Sequence, residues 1–528
     1  QGRTEEAWQR CCGFIDLSLA DFMRIQSRLL EEQLELMKRC ELGKFLMNGA
    51  AATTVAEFRD RLPLTTYDDY APYLIEKRED ALPMKPALWQ YTSGKSGDYP
   101  FRWAPITGAQ LKEIELMSLA IIFFSACRQR GDIAFDIDDR ALYGMAPPPY
   151  ATGTMVRAFP YEIFRFLPPV EEAEKESFDQ RMKRGFDLAL SDRLDLLIAM
   201  SSVANAIAGR FQRKGNSTRI GPLLRRPKAL LRLLRGLIRA RIAGRNMLPR
   251  DLWNIKGLVT FGIDSSVYRK RNAEMWGREP LEFHGSTETV LIATQTWDHA
   301  GMTFFPYLNF FEFIPEEESL KSRDDPSYRP KTLLLDEVTT GKYELVITSL
   351  HGGPFLRYRL GHLIEITALR NEQLNIDIPQ MVFLSRVDDQ LDIAGFTRLS
   401  EKTLWQAIVN AGLDCPGWVA RKETDDEPVL QLYVEMEGNA AAEEMAAAVH
   451  AELCRLDTPY AEMESITGLR PIKVTLVPDG AFADYETMRR AVGSDLTQLK
   501  PPHINPSDEV IDFLMGATRR APRTKVGV

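Results

Sequence analysis

Residues 91–100 read YTSGKSGDYP and combine small, hydroxyl-bearing and basic residues that are able to contact phosphate. The central Gly-Lys-Ser also ends the P-loop of nucleotide-binding proteins, but Trp89 stands where that loop requires its first glycine. The P-loop is therefore excluded. Backbone N–H and side-chain O–H groups of such a stretch still bring donors to phosphate oxygens, although an ordinary turn is the commoner structure. The residues of this predicted phosphate loop are Thr92, Ser93, Gly94, Lys95, Ser96 and Gly97.

Three further stretches carry residues suited to nucleotide chemistry: EFHGSTET, FLRYRLGH and FLSRVDDQLDIAGFTRLSEKTL. Glu288 in the first supplies a carboxylate, the type of ligand that Mg²⁺ takes together with phosphate oxygens. Each residue also has a structural alternative. Glu288 alone is more often a solvated carboxylate, and Tyr358 and Arg359 would fit a strand with a paired charge. Lys500, between Leu499 and two prolines, would fit a plain surface position.

The order and spacing of these stretches resemble the adenylate-forming (ANL) superfamily. More narrowly, the chain resembles the auxin-responsive acyl-acid amido synthetases, which join carboxylic acids to amino acids. That family has a Ser/Gly/Thr phosphate loop, a Tyr-x-Ser-Ser-Glu motif and a Tyr-Arg-x-Gly-Asp motif. PLTTYDDYAPY, LWNIKGLVTFGIDSSVY, DGAFADY and QLKPPH resemble further segments of it, so that the resemblance covers most of the chain.

The resemblance implies a binding site for ATP and Mg²⁺. Thr92–Gly97 would surround the departing phosphates, Glu288 would hold Mg²⁺, and Lys500 would neutralise the reacting phosphate. His284 would stack on adenine, and the residues of Gly262–Tyr268 would line the acyl pocket. The other residues that the resemblance assigns to the nucleotide are Gly285, Ser286, Thr287, Tyr358, Arg359, His362 and Arg386. Asp388 and Asp389 would form the hinge on which a mobile C-terminal domain rotates.

Three positions depart from the family pattern. His362 replaces the aspartate that is expected to bind the ribose hydroxyls, which would weaken ATP binding on the order of tenfold or more. His284 replaces a tyrosine, and Arg102 replaces the lysine that follows the phosphate loop. Glu288 and Lys500 match the family, so these departures bear on ATP affinity more than on the fold.

Element patterns predict an α/β fold with a large multi-sheet N-terminal domain and a smaller α+β domain. Residues 1 to about 60 have a helical pattern, and residues 256 to 385 are rich in strand-forming segments. Beyond Arg386, a helix capped by Ser400 and Gly412 precedes VLQLYVEME, whose alternation predicts a half-buried strand. The predicted domains are residues 1–387, holding the ATP and acyl-acid sites, and residues 388–528.

Residues 210–250 form a strongly basic section with leucines at helical spacing. Such a helix either lies on a membrane or binds acidic ligands, or it packs its leucines inward as a surface helical pair. The second interpretation is preferred because the whole chain is acidic.

Bulk properties narrow the class of protein. The chain has 528 residues and a net charge of −8, which predicts several domains and argues against general nucleic-acid binding. The six cysteines lack metal-site spacing and are expected to be reduced thiols, and no apolar stretch reaches the length of a membrane span. A cytoplasmic location is therefore expected, while the sequence leaves the oligomeric state open.

The sequence thus predicts an ATP-dependent ligase that activates a carboxylic acid as an acyl adenylate and transfers the acyl group to an amine. The amine is expected to be an amino acid. Two alternatives remain open, an acyl-CoA ligase of the same superfamily and a nucleotide-binding regulator with weakened catalysis. The sequence identifies neither the acid nor the amine.

Overall fold

The computed structural model describes residues 3–516, apart from residues 51, 94–100, 159–162, 215–225, 263–264, 326, 388–389, 394–396, 414, 425–427, 437–440, 462–471 and 492–500. For Thr92 and Ser93 it describes the backbone only. The chain divides into two compact units, Gln1–Phe383 and Leu384–Val528.

Helices dominate the N-terminal residues, as the apolar spacing predicts. Side chains of Ser18 and Thr54 cap two of these helices by accepting hydrogen bonds from backbone amides. Leu29 and Leu34 are buried on one side of the helix Leu19–Met37. The helices of the first unit are Thr4–Cys12, Leu19–Met37, Glu41–Met47, Val55–Arg61, Ala71–Leu74, Gly108–Ala126, Ala151–Ala158, Val170–Ala173, Phe178–Ser191, Ser201–Lys214, Pro227–Ile242, Pro249–Leu252, Ser265–Trp276 and Glu316–Asp324.

A mixed sheet forms the centre of the first unit. The strands of this unit are β1 (Pro86–Ser93), β2 (Phe101–Thr107), β3 (Asp139–Tyr143), β4 (Phe164–Leu167), β5 (Leu196–Met200), β6 (Gly257–Phe261), β7 (Leu281–His284), β8 (Ala293–Gln295), β9 (Met302–Phe304), β10 (Asn309–Pro315), β11 (Gly341–Ser349), β12 (Tyr358–Ala368) and β13 (Gln380–Arg386). Strands β10-β11-β12-β13-β9-β8-β7-β6-β5-β3-β4 lie side by side in this order, while β1 and β2 pair separately.

The large sheet has a parallel half and an antiparallel half. Strands β4, β3, β5, β6 and β7 run parallel, with helices in the connections between them. Their sequences are nearly all apolar, for example LLIAM in β5 and GLVTF in β6, as expected for strands covered on both faces. From β7 onward the described pairings are antiparallel.

The apolar segment LAIIFFSAC belongs to the helix Gly108–Ala126. From Met117 to Ala126 every residue of this helix is buried, so its unusual hydrophobicity reflects a position inside the protein core. Among the described residues, each helix falls short of the length or hydrophobicity needed to cross a bilayer.

The second unit is an α+β structure. Its strands are β14 (Gln390–Ile393), β15 (Thr397–Ser400), β16 (Gly417–Thr424), β17 (Pro428–Glu435) and β18 (Ile472–Val477), and its helices are Glu401–Asn410, Ala442–Leu456, Ala481–Ala491 and Asp508–Leu514. Ser400 caps the first helix by accepting from the Thr403 amide, and Gly412 has a positive φ of 74° just beyond its end. Both predicted ends of this helix are confirmed.

Strand β17 is buried on both faces, so the prediction of a half-buried strand is wrong. Leu430, Leu432 and Val434 belong to one hydrophobic cluster of this unit. Tyr433, on the opposite face, packs in a second cluster with residues of the helices Ala481–Ala491 and Asp508–Leu514. These helices lie far from β17 in sequence, which is why the local alternation of polar and apolar residues did not reveal the second covering layer.

The basic section forms the predicted surface helices Ser201–Lys214 and Pro227–Ile242, but its leucines do not all pack inward. Leu233 is 8% exposed, whereas Leu231 and Leu234 are 49% and 48% exposed. The expectation of inward packing is therefore wrong for most of the apolar side chains in the second of these helices.

Candidate functional site

The predicted phosphate loop connects two paired strands. In the β1–β2 hairpin, Thr92 lies opposite Arg102 and Ser93 lies opposite Phe101. Thr92 and Ser93 are thus the last two residues of β1. The remaining predicted loop residues, Gly94, Lys95, Ser96 and Gly97, lie outside the described part of the chain.

The HGSTE stretch forms a tight turn directly after β7. The Ser286 hydroxyl accepts hydrogen bonds from the backbone amides of Glu288 and Thr289, both at 3.2 Å. The Val290 amide closes the turn by donating to the Ser286 carbonyl at 2.8 Å. A Cβ atom on Gly285 would overlap the Val290 carbonyl oxygen, so glycine is required at this position. The turn leaves Thr287 and Glu288 partly exposed.

Gln90 connects the hairpin to this turn. Its side chain is completely buried, and its Nε2 atom donates a hydrogen bond to the Thr287 carbonyl. The base of the phosphate-loop candidate therefore lies beside the HGSTE turn. Sequence reasoning missed Gln90, although an amide within the apolar run LWQY is the kind of signal that could have identified it.

Tyr358 brings the start of β12 to the same place. Its hydroxyl donates to Glu288 Oε1 at 3.4 Å. Burial, reinforced by the Glu288 carboxylate, raises the pKa of Tyr358 well above its ordinary value, while the positive charge of Arg102 acts in the opposite direction. The phenol therefore remains a hydrogen-bond donor at neutral pH. Arg102 lies over the ring of Tyr67, 5.4 Å from its centroid.

A bulge in β12 divides the residues of the YRLGH stretch between two locations. Tyr358 pairs with Ile347 and His362 pairs with Leu345, while Leu360 and Gly361 fall in an irregularity of the register where Gly361 has a φ of 68°. The two side chains at the ends of the bulge reach the HGSTE turn and the end of β7, respectively.

Arg359 is not brought together with Tyr358 and His362. Its guanidinium binds both carboxylate oxygens of the buried Glu344, at 2.8 and 2.6 Å, and also donates to Ser322. These contacts stabilise the packing of the helix Glu316–Asp324 against β11 and β12. The predicted contact of Arg359 with the nucleotide stays a prediction.

His284 and His362, the two positions that depart from the family pattern, contact each other directly. His284 Nε2 lies 3.0 Å from His362 Nδ1, and both side chains are buried. The His284 ring also stacks on Phe383, with centroids 4.4 Å apart and planes inclined by 23°. The two replacements therefore form one structural feature, and Phe383 is a member of it that sequence reasoning missed.

A buried ion pair holds the chain just before Tyr358. Arg357, whose φ is 48°, donates to Glu312 through Nε at 3.0 Å and through Nη2 at 2.7 Å. Both side chains are almost inaccessible to solvent. An arginine in the left-handed region is uncommon, and this bidentate pair fixes it there. The pairing partner lies 45 residues away, so the sequence gives no local signal for it.

Several predicted residues are not placed by these contacts. Lys500, Asp388 and Asp389 lie outside the described residues, and Arg386 belongs to the second unit. Within the described residues, no group of three or more His, Cys, Asp or Glu side chains could hold a metal. Glu288 therefore offers a single carboxylate, which fits the way Mg²⁺ is commonly held by one or two carboxylates together with substrate phosphates.

Family models match three separate parts of this chain. The N-terminal domain model of the GH3 family matches residues 12–137, the central domain model matches residues 302–386, and the C-terminal domain model matches residues 418–509. The HGSTE turn lies between the first two matches, while Tyr358, His362 and Phe383 lie within the second.

Curated relatives match a smaller part of the chain. A probable indole-3-acetic acid-amido synthetase, GH3.4 of Oryza sativa subsp. japonica, is 23% identical over 42% of this chain and 37% of its own length. The 4-substituted benzoates-glutamate ligase GH3.12 of Arabidopsis thaliana is 23% identical over 41% of this chain and 39% of its own length. The matched region thus spans less than two fifths of these relatives.

Solved structures share the fold over nearly the whole chain. The acyl acid amido synthetase AtGH3.15, in complex with 2,4-DB, has a TM-score of 0.68 with 18% identity and covers 97% of this chain and 96% of its own. A 2-hydroxyisobutyryl-CoA ligase has a TM-score of 0.61 with 14% identity and covers 96% of this chain and 94% of its own. The predicted α/β fold of the adenylate-forming type is confirmed.

Proposed function

Because this chain belongs to the GH3 family, we propose that it is an ATP-dependent acyl-acid amido synthetase. In the first half-reaction, a carboxylate oxygen of the acid attacks the α-phosphorus of ATP. The bond from that phosphorus to pyrophosphate breaks, leaving an acyl adenylate. In the second, the nitrogen of an amine attacks the acyl carbon, loses a proton and displaces AMP. The amine is an amino acid, as the names of the relatives suggest.

The observation that carries this proposal is the convergence of three distant segments. The Gln90–Thr287 hydrogen bond joins the phosphate-loop hairpin to the HGSTE turn, and the Tyr358–Glu288 contact joins the turn to β12. A site for a charged ligand needs donors and carboxylates that are held before the ligand arrives. Both contacts depend on buried side chains, which supports a rigid arrangement.

Each residue has a proposed role. Thr92–Gly97 bind the phosphates, and Glu288 holds Mg²⁺, which would offset negative charge on the phosphate oxygens when bound. Tyr358 orients the Glu288 carboxylate. Lys500 neutralises the reacting phosphate after the second unit has moved into place, with Asp388 and Asp389 as the hinge. His284 and His362 contact the nucleoside, as does Arg386.

The fold does not decide between an amine and a thiol acceptor, because an amido synthetase and a CoA ligase both share it. Acid-dependent exchange of labelled pyrophosphate into ATP, measured with a library of carboxylic acids, tests the first half-reaction. Adding a panel of amino acids, or CoA, to the productive acid and identifying the product by mass tests the second. An amide is expected. A thioester alone would favour the CoA ligase, and ATP binding without any exchange would favour a regulator.

Glu288→Gln tests the site itself. We expect exchange to fall by at least about a hundredfold, because a neutral amide is a poor ligand for Mg²⁺ and the electrostatic contribution of a single group reaches this size. The matched control is Glu365→Gln, which removes a partly exposed carboxylate farther along β12 and should leave exchange unchanged. Equal activity of the two variants would remove Glu288 from the site.

A further inference from the structure

The helix Pro227–Ile242 exposes its larger apolar side chains and buries its smaller residues. Leu231, Leu234, Ile238 and Ile242 are 49%, 48%, 57% and 82% exposed. The opposite face, made of Ala229, Leu233, Gly236 and Ala240, is buried. Burial within the protein therefore does not explain why the outer residues are apolar.

The four exposed residues form one continuous stripe. They follow each other at intervals of three, four and four residues, which places them on one face of an α-helix. The stripe is about 16 Å long at the helical rise per residue. It is called the outer stripe below, and it consists of Leu231, Leu234, Ile238 and Ile242.

Basic residues border the outer stripe on both sides. By helical spacing, Lys228 and Arg235 fall along one edge and Arg241 along the other. All three are exposed, and none of the described carboxylates forms an ion pair with them. Residues 227–250 contain no Asp or Glu, whereas the whole chain carries a net charge of −8. The positive charge is therefore local to this surface.

The helix is held firmly with the outer stripe toward solvent. A Cβ atom on Gly236 would lie 2.7 Å from Leu252 Cδ2, so the backbone packs closely against the helix Pro249–Leu252. Arg232 donates to the carbonyl oxygens of Ala189 and Leu190 at the end of the helix Phe178–Ser191. Rotation that would bury the stripe would break these contacts.

We propose that the outer stripe and its basic border bind the surface of an anionic phospholipid bilayer. Leucine and isoleucine side chains would enter the boundary between headgroups and acyl chains, while arginine and lysine contact the phosphates. A second copy of this chain fits less well, because pairing two such helices would bring like charges together. A bilayer accepts an exposed single helix face without requiring a matching groove.

The binding is tested with full-length protein and sedimentable vesicles of phosphatidylcholine, with or without about one third phosphatidylglycerol. The wild-type protein is expected to partition at least about tenfold more strongly onto the anionic vesicles, and high salt should reduce this binding. Equal partitioning onto both vesicle types, or none onto either, would overturn the proposal.

Variants separate the outer stripe from general adhesion. The double variant Leu234→Glu, Ile238→Glu should lower partitioning onto anionic vesicles by at least about tenfold, since it replaces two inserted side chains by negative charges. The matched control is Leu369→Glu, at a residue that is also 49% exposed but lies after β12. It should bind as the wild type does.

Two further measurements keep the outcome specific. Thermal unfolding followed by circular dichroism shows whether the double variant folds. If it does not, Arg235→Glu alone, which changes only an exposed charge, should still lower partitioning by about tenfold. A wild-type dimer in light scattering that the Leu234→Glu change converts to a monomer, without vesicle binding, would assign the stripe to a second copy and overturn the proposal.

Discussion

Gly285 is the residue on which the shape of the HGSTE turn depends most. Its missing side chain makes room for the Val290 carbonyl, and the turn in turn sets the direction of Glu288. We predict that Gly285→Ala lowers the free energy of unfolding by about 1–3 kcal/mol, the usual cost of overpacking, and abolishes pyrophosphate exchange. Urea unfolding and the exchange assay measure the two effects.

The matched control for this prediction is Gly209→Ala. Gly209 lies within the helix Ser201–Lys214, and a Cβ atom there meets nothing within 4 Å. Alanine favours a helix, so this variant should be neutral or slightly stabilised, by up to about 1 kcal/mol. A Gly285→Ala protein with normal stability and normal exchange would show that the turn tolerates a side chain and is not positioned as described.

His362 and His284 act as one unit, which makes His362→Asp an informative change. The family that this chain resembles carries an aspartate here, and a carboxylate would form charge-assisted hydrogen bonds with ribose hydroxyls. We predict that His362→Asp tightens ATP binding by about tenfold or more. Calorimetric titration with a non-hydrolysable ATP analogue and Mg²⁺ measures the change. Unchanged or weaker binding would mean that His362 lies away from the ribose.

At the scale of single residues, the sequence predicted side chains but not their contacts. Glu288, Tyr358 and His362 were identified by motif, since those motifs are short and continuous. Gln90 and Phe383 were missed because each acts through one partner that lies far away in sequence or in another motif. Arg359 shows the opposite error source: it belongs to the motif, but the β12 bulge and the buried Glu344 give it a structural contact.

Elements were predictable wherever one segment decides its own structure. Ser400 and Gly412 end a helix through local hydrogen bonds and φ angles, so their roles could be read from the sequence. The burial of β17 and the exposure of the outer stripe were not predictable in this way. Both depend on which distant helix covers which face, and hydrophobic spacing indicates only that a face is apolar.

The element that displays the outer stripe is stabilised by a buried ion pair with a pH-dependent contribution. Arg245 binds both carboxylate oxygens of Asp251 at 2.7 and 2.8 Å, and the Leu248 amide donates to the same carboxylate. Burial alone would raise the pKa of Asp251, but these hydrogen bonds outweigh it and lower the pKa below its ordinary value. The charged form is therefore favoured by folding.

We predict that Asp251→Asn lowers the free energy of unfolding at neutral pH by about 1.5–3 kcal/mol, the range for hydrogen bonds to charged groups. Because the folded pKa is depressed, the wild-type advantage is present above the unfolded pKa of about 4 and disappears as the pH falls through the folded value. Urea unfolding of both proteins at neutral pH and at successively lower pH values measures the difference. A difference that stays constant down to the lowest pH would contradict the ionic origin.

At the scale of the whole molecule, the chain consists of two units with separate cores. The unit Leu384–Val528 contains two hydrophobic clusters of its own, one on each face of the sheet β16-β17-β18. The unit Gln1–Phe383 contains the hairpin, the HGSTE turn and β12. Under the proposed function, Glu288 in one unit and Lys500 in the other must act on the same ATP molecule.

This division predicts that folding and activity separate when the chain is cut. A fragment of residues 384–528 should fold alone and unfold cooperatively in urea, because its apolar faces are covered by its own helices. Neither this fragment nor residues 1–383 should catalyse pyrophosphate exchange above about a hundredth of the intact rate, since the first lacks the ATP-binding segments and the second lacks Lys500. Full exchange by residues 1–383 alone would show that activation needs no group from the second unit, and the proposed role of Lys500 would then be wrong.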